Sequence, residues 1–116
     1  MIGHGSREES FAAAMERTAS RLRGEGRFND VLCAYLEITP PSIEESVARC
    51  VEKKISEVRL LPYFLLTGRH VTADIPAIAA KMKTKYKGVL KIILCPYLGY
   101  DEKIVSLVRK RIGEGR

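Results

Sequence analysis

The sequence lacks any apolar run approaching the roughly 20 residues needed to cross a membrane. No secretory signal precedes its first motif. The expectation is a cytoplasmic protein with no membrane partner. Cysteine is scarce and odd in number: Cys33, Cys50 and Cys95, with no C-x-x-C pair. That argues against a disulfide framework or a zinc ribbon and leaves buried thiols in a reducing compartment. There is no complete G-x-G-x-x-G, no Walker A motif and no RRM-like aromatic signature. No repeat, low-complexity tract or linker divides the chain. Histidine is limited to two residues, His4 and His70.

What is present bounds the fold. The chain has 116 residues, enough for one domain with a real core over 1–116 but not for two. Hydrophobic residues make up 46% and charged residues 29%, an ordinary globular balance. The net charge of +6 favours an anionic partner, whether nucleic acid, a phosphate ligand or a polycarboxylate.

Along the chain, Met1-Ile2 reads as the stub of a strand, followed by the glycine-flanked turn Gly3-His4-Gly5-Ser6-Arg7. Ser6 is a candidate cap for a helix from about Arg7 to Arg23, with Phe11, Met15 and Leu22 as its apolar stripe. Val31–Leu36 predicts a strand with Glu37 at its carboxyl end. Ser42 and Glu45 form an S-x-x-E capping pattern, opening a helix to about Lys54 that buries Ile43, Val47, Val51 and Ile55. Val58–Leu66 predicts the central strand, broken at Thr67-Gly68 before His70. Asp74 or Thr72 is a candidate cap for a third helix, with Pro76 tolerated in its first turn. Val89–Cys95 predicts the last strand. Asp101 is the candidate cap of a final helix burying Ile104, Val108 and Ile112.

Strands alternating with helices predict an α/β fold: a mainly parallel sheet with helices on both faces. His4, Glu37, His70 and the Pro96–Tyr100 loop all follow strand ends, so they should converge on one rim, where such sheets bind ligands. Two imidazoles can hold a cobalt, nickel, iron or zinc ion without closing its coordination sphere. A neutral imidazole can also accept a proton. Taken singly, each residue has a plainer reading. A histidine in a glycine-rich turn is often a surface residue, G-H-G-S-R could be a phosphate-binding turn, and Glu37 could be a solvated carboxylate. Asp74 reads most simply as an N-cap.

The pair G-H-G-S-R and P-Y-F-L-L-T-G-R-H-V-T-A-D-I-P resembles the short form of the sirohydrochlorin cobaltochelatase family. These are class II chelatases, related to ferrochelatase and the nickel-sirohydrochlorin chelatases. E-I-T-P-P-S-I-E-E and P-Y-L-G-Y-D-E-K-I-V extend the resemblance over nearly the whole chain. It implies a three-layer αβα chelatase-like domain and a lyase-type, ATP-independent insertion of a divalent metal into a tetrapyrrole. The metal substrate is cobalt first, with nickel or iron as alternatives, and no cofactor is permanently bound. By the resemblance, His4 and His70 bind the metal and are the catalytic residues, His4 being the proton acceptor. Leu65, Leu66, Thr67, Gly68, Arg69 and His70 correspond to the substrate-contacting loop, with Glu37 as a further substrate contact. Some relatives carry an acidic residue where this chain has Pro40.

The chemistry suits these residues. Metal insertion removes two pyrrole protons and strips water from the ion, and histidine can serve both steps. Sirohydrochlorin bears eight carboxylates, which Arg7, Arg69 and the lysines would attract. Tyr63, Phe64, Leu65, Leu66 and Tyr97 offer an apolar wall, some of it expected to face inward. Family members carry a full strand before G-H-G-S-R, whereas here only Met1-Ile2 stand there, so the first strand reads as truncated. The chain is the size of one half of a bilobal class II chelatase, so the expected state is a homodimer without nucleic acid. The competing reading is a non-catalytic basic module binding phosphate ligands or RNA.

Overall fold

A computed structural model describes residues 1–116 throughout. Four parallel strands alternate with four helices: β1 Ile2–Gly3, α1 Ala13–Gly24, β2 Ala34–Tyr35, α2 Ile43–Glu52, β3 Glu57–Leu60, α3 Ile75–Lys85, β4 Lys91–Leu94 and α4 Glu102–Gly113. A π-helical turn, His70–Asp74, leads into α3. β1 pairs with β2 in the register Ile2↔Ala34 and Gly3↔Tyr35, and β3 pairs with β4 from Glu57↔Lys91 to Leu60↔Leu94. A parallel bridge between Ile2 and Pro62 joins the two pairs. There the Ile2 N–H donates to the Leu61 carbonyl, and the Tyr63 N–H donates to that of Ile2, both at 2.8 Å. The spatial order is therefore β2-β1-β3-β4, with the two-residue β1 at the centre.

That order has a consequence for function. The chain leaves β1 toward β2 on one side, while β3 lies on the other. The crevice between the β1 and β3 carboxyl ends is a topological switch point, where open parallel sheets bind ligands.

Alternation along the strands separates two cores. Ile2, Ala34, Leu60 and Ile92 pack with Ile43 and Val47 of α2 and Ile75, Ala79 and Met82 of α3. Cys33 and Tyr35 turn the other way, onto Met15 and Ala19 of α1. α2 and α3 thus cover one face of the sheet and α1 the other, giving three layers. Ser42 caps α2 by accepting the Glu45 N–H at 3.1 Å, and Asp101 caps α4 by accepting the Lys103 N–H at 2.8 Å.

Several boundaries differ from the sequence expectation. α1 begins at Ala13, not Arg7. The Ser6 hydroxyl accepts only the Glu8 N–H, and the Ser6 backbone is held elsewhere. Phe11 therefore lies ahead of the helix. The strands are shorter than their apolar runs, the central one ending at Leu60 before the Pro62 bridge. The largest correction is α4. None of its residues is buried, and Val108 and Ile112 are 51% and 75% exposed. The helix projects from the body, and the whole chain measures 53 × 32 × 29 Å. Its radius of gyration, 15.3 Å, exceeds the roughly 13–13.5 Å of a compact chain this long. No helix or strand of the same chain packs broadly against α4.

Candidate metal centre

His4 follows β1 directly, and the ladder to β2 continues beyond both strands. The Leu36 N–H donates to the Gly3 carbonyl at 3.0 Å, and the Glu37 N–H to the His4 carbonyl at 3.1 Å. That pairing sets Glu37 beside His4, with the His4 Nε2 and Glu37 Oε1 atoms 2.9 Å apart. Gly5 makes the approach possible. Its φ is +106°, and a Cβ there would lie 1.7 Å from the Glu37 carbonyl oxygen. The following loop is fastened by Thr39. Its hydroxyl accepts the Ser6 N–H at 3.0 Å and donates to the Ser6 carbonyl at 2.9 Å. Between Glu37 and Thr39 the chain makes a tight turn, the Thr39 N–H donating to the Glu37 carbonyl at 2.6 Å. The centre of that turn is Ile38 at φ 65°. A β-branched residue there costs about 1–3 kcal/mol, which the surrounding bonds must hold in place.

His70 arrives from the other side of the switch point. Phe64 is half-buried against the main core, and the exposed stretch Leu65–Arg69 then leads to His70. The Gly68 carbonyl accepts the Val71 and Thr72 N–H groups at 3.1 and 2.9 Å, winding the turn. The His70 ring stands 4.7 Å from that of His4, centroid to centroid, tilted by 52°. Phe64 lies on it at 6.3 Å. One ligand atom each from His4, Glu37 and His70 fall within 4.8 Å of one another.

Sequence reasoning named all three residues, and the structure brings them together. It misassigned Asp74, whose side chain caps nothing at the start of α3. The Asp74 Oδ2 instead meets the His70 Nδ1 at 2.8 Å. The i,i+4 spacing of H-x-x-x-D was the signal available. Thr39 and the close approach at Gly5 carried no such signal. Leu65 and Leu66 are 53% and 81% exposed, and Thr67, Gly68 and Arg69 are exposed with them. Tyr63 packs on the α1-side core. Of the apolar wall, the leucines point outward while Tyr63 and Phe64 are half-buried.

Two imidazoles and a carboxylate around one point form a borderline donor set suited to first-row divalent ions. At 2.9 Å the His4 Nε2 and the Glu37 Oε1 are within hydrogen-bonding distance, and both atoms face the point where a cation would meet the three residues. All three side chains are partly open to solvent, so the cluster can load and release an ion.

The family model described as CbiX matches residues 1–115. The chain belongs to the CbiX family. The resemblance drawn from the two histidine motifs therefore holds over the length of the chain. This CbiX chain is 32% identical over 120 residues to the sirohydrochlorin cobaltochelatase of Methanosarcina acetivorans, covering 97% of this chain and 92% of that one. It is 29% identical over 112 residues to the chloroplastic sirohydrochlorin ferrochelatase of Arabidopsis thaliana, covering 97% of this chain but 49% of the relative. Among solved structures it resembles the sirohydrochlorin chelatase SirB of Bacillus subtilis subspecies spizizenii in complex with cobalt. The TM-score is 0.78 and the identity 28%, over 97% of this chain and 48% of that one. The CbiX chain thus spans about half the length of two of these three and nearly all of the archaeal one. No helix is long and apolar enough to cross a membrane.

Proposed function

We propose that this chain inserts a divalent metal ion into sirohydrochlorin. The observation that carries the reading is the convergence of His4, Glu37 and His70 within 4.8 Å at the sheet's switch point, in a chain of the CbiX family. The metal is a substrate. His4 and His70 bind it through imidazole nitrogen while Glu37 supplies an oxygen, which leaves coordination positions open toward the ring of pyrrole nitrogens. The macrocycle lies over the rim against Leu65–His70, with Arg69 toward its carboxylates. Two pyrrole N–H protons leave as the ion enters, so charge balances without ATP. As the ion passes from His4 and Glu37 to the pyrrole nitrogens it frees that pair, which takes up one of the two protons, and solvent takes the other. Cobalt is the favoured metal, supported by the names of the archaeal relative and of the cobalt-bound neighbour. Iron and nickel are the alternatives. The substrate is a water-soluble polycarboxylate, so the place of action we propose is the cytoplasm.

The test is incubation with sirohydrochlorin and each of Co²⁺, Ni²⁺ and Fe²⁺, followed by absorption. Insertion shifts the macrocycle bands at a rate proportional to protein. Bands that move no faster than in buffer with all three metals would end the reading.

We further propose that residues 1–116 act as one half of a twofold homodimer. The support is the span of about half of two relatives together with α4. Ile104, Leu107, Val108 and Ile112 line a groove with Tyr63, Leu65 and Leu98, and within one chain nothing covers that stripe. A second copy across a twofold axis would cover it, placing the interface beside the Leu65–His70 loop. Light scattering decides: a mass near 13.0 kDa with full activity excludes the dimeric site.

A further inference from the structure

Both histidines present a ring to the same point, yet their backing differs. The Nδ1 of His4 faces only the carbonyl of its own neighbour, Gly5, at 3.1 Å. The Nδ1 of His70 faces a carboxylate, Asp74 Oδ2, at 2.8 Å. An ionised carboxylate can only accept, so the neutral form of the His70 ring carries its proton on Nδ1 and has its bare nitrogen, Nε2, turned away from Asp74. The local backbone accounts for the contact. In the π turn the Ile75 N–H donates to the His70 carbonyl, one residue further along than in an α-helix. Asp74 is freed from capping, the role its position would otherwise give it, and four residues on it falls beneath the ring. The Phe64 ring, at 6.3 Å, and the His4 ring, at 4.7 Å, limit the swing of the imidazole.

We propose that Asp74 is a positioning residue. Its carboxylate fixes the tautomer and orientation of His70, so that Nε2 is presented to the divalent metal substrate. Such a backing carboxylate makes the ligating nitrogen a stronger donor, and its loss costs about 10–100-fold in metal affinity. The role of His70 rests on the chelatase reading; the tautomer does not.

Long-range ¹H–¹⁵N correlation spectra of the full chain read the tautomer of each histidine directly, and Co²⁺ titration reads affinity with no tetrapyrrole present. In the wild type, His70 should show the Nδ1–H pattern. Asp74→Ala should move His70 toward the Nε2–H form and weaken Co²⁺ binding about 10–100-fold, with the His4 signals unchanged. Asp74→Asn keeps the side-chain size but exchanges a group that can only accept for an amide able to turn its NH2 to Nδ1. It should move His70 toward the Nε2–H form and weaken Co²⁺ binding as Asp74→Ala does. A purely helix-stabilising Asp74 would instead lower the Tm of Asp74→Ala and leave both tautomer and Co²⁺ affinity of the folded protein alone. Nδ1–H persisting in Asp74→Ala, with affinity within twofold of wild type, overturns the proposal. Should Asp74→Ala fail to fold, Asp74→Asn decides: the Nδ1–H pattern kept in that variant, with Co²⁺ affinity within twofold of wild type, overturns the proposal. Failure of the wild type to metallate sirohydrochlorin while His70 stays pinned by Asp74 refutes the chelatase reading and leaves the pairing standing.

Discussion

Replacing Gly5 by alanine tests the geometry of the cluster without touching any proposed ligand. The new Cβ would sit 1.7 Å from the Glu37 carbonyl oxygen and 2.9 Å from its carbon. Both are main-chain atoms, so no side-chain rotation relieves the clash, and the segments must part by more than about 1 Å to reach ordinary contact. Alanine at φ +106° adds strain of about 1–2 kcal/mol. Parting the segments also pulls on the two Thr39–Ser6 bonds of 3.0 and 2.9 Å, each worth about 1 kcal/mol net. The total comes to about 2–4 kcal/mol, or a Tm drop on the order of 10 °C. The same retreat carries Glu37 away from the His4 Nε2, now 2.9 Å distant. A displacement of about 1 Å among reacting groups can cost on the order of 100-fold in rate. The assay is Co²⁺ insertion into sirohydrochlorin by absorption, well below the Tm of the variant, alongside thermal melts. Gly24→Ala is the control, since a Cβ there meets nothing within 4 Å; it should leave turnover at the wild-type value and hold the Tm or raise it by a few degrees. A Gly5→Ala protein with wild-type turnover and an unmoved Tm would refute the account of how this turn holds Glu37 against His4.

His70→Ala should abolish nearly all metal insertion while the melt moves little, because a ring on the rim with 39% of its side chain exposed contributes little to the core; turnover equal to wild type refutes the ligand role. His4→Ala should be as severe, losing a metal ligand and half of the proton-accepting pair together. Cys33, 5% exposed, has its thiol pushed up to about 11, first by burial and then by the Glu16 carboxylate. The native state therefore favours the neutral thiol, a contribution present in full below pH 9 and lost as pH rises through 11, amounting to about 3 kcal/mol at most. Urea denaturation at pH 8 and pH 10.5 should show wild type losing more stability than Cys33→Ala, and parallel losses would contradict the assignment.

Much of the fold was legible because local signals agreed. Ser42 announced α2 and Asp101 announced α4, since each offers an oxygen to an otherwise unpaired N–H of the first turn. The misreadings have a common cause. The Ser6 hydroxyl could have served the same purpose, but the Ser6 backbone is held by Thr39, and no helix forms until Ala13. α4 shows the complementary limit. Ile104, Val108 and Ile112 lie at helical spacing, and spacing says only that the stripe seeks cover. It does not say whether that cover lies within the same chain. Here the α1 face of the sheet is already occupied by Met15 and Ala19, and the stripe of α4 stays open.

The site was legible as a set of residues and illegible as a set of bonds. Counting strand ends put His4, Glu37 and His70 on one rim. The strand order β2-β1-β3-β4, which places β1 at the centre and opens the switch point between β1 and β3, is not encoded in periodicity. Nor is a contact such as Gly5 against the Glu37 carbonyl, which depends on how two turns cross. Asp74 is the instructive case, because two local rules competed for one residue. Its place ahead of a proline-started helix favoured the cap, and its distance of four residues from His70 favoured the ring. The π turn settles the competition. By carrying the backbone one residue further before its hydrogen bond, it takes Asp74 out of capping geometry and sets the carboxylate against the imidazole. A helix start that gives up its side-chain cap loses about 1 kcal/mol, and what this chain gains in exchange is an oriented histidine on the rim.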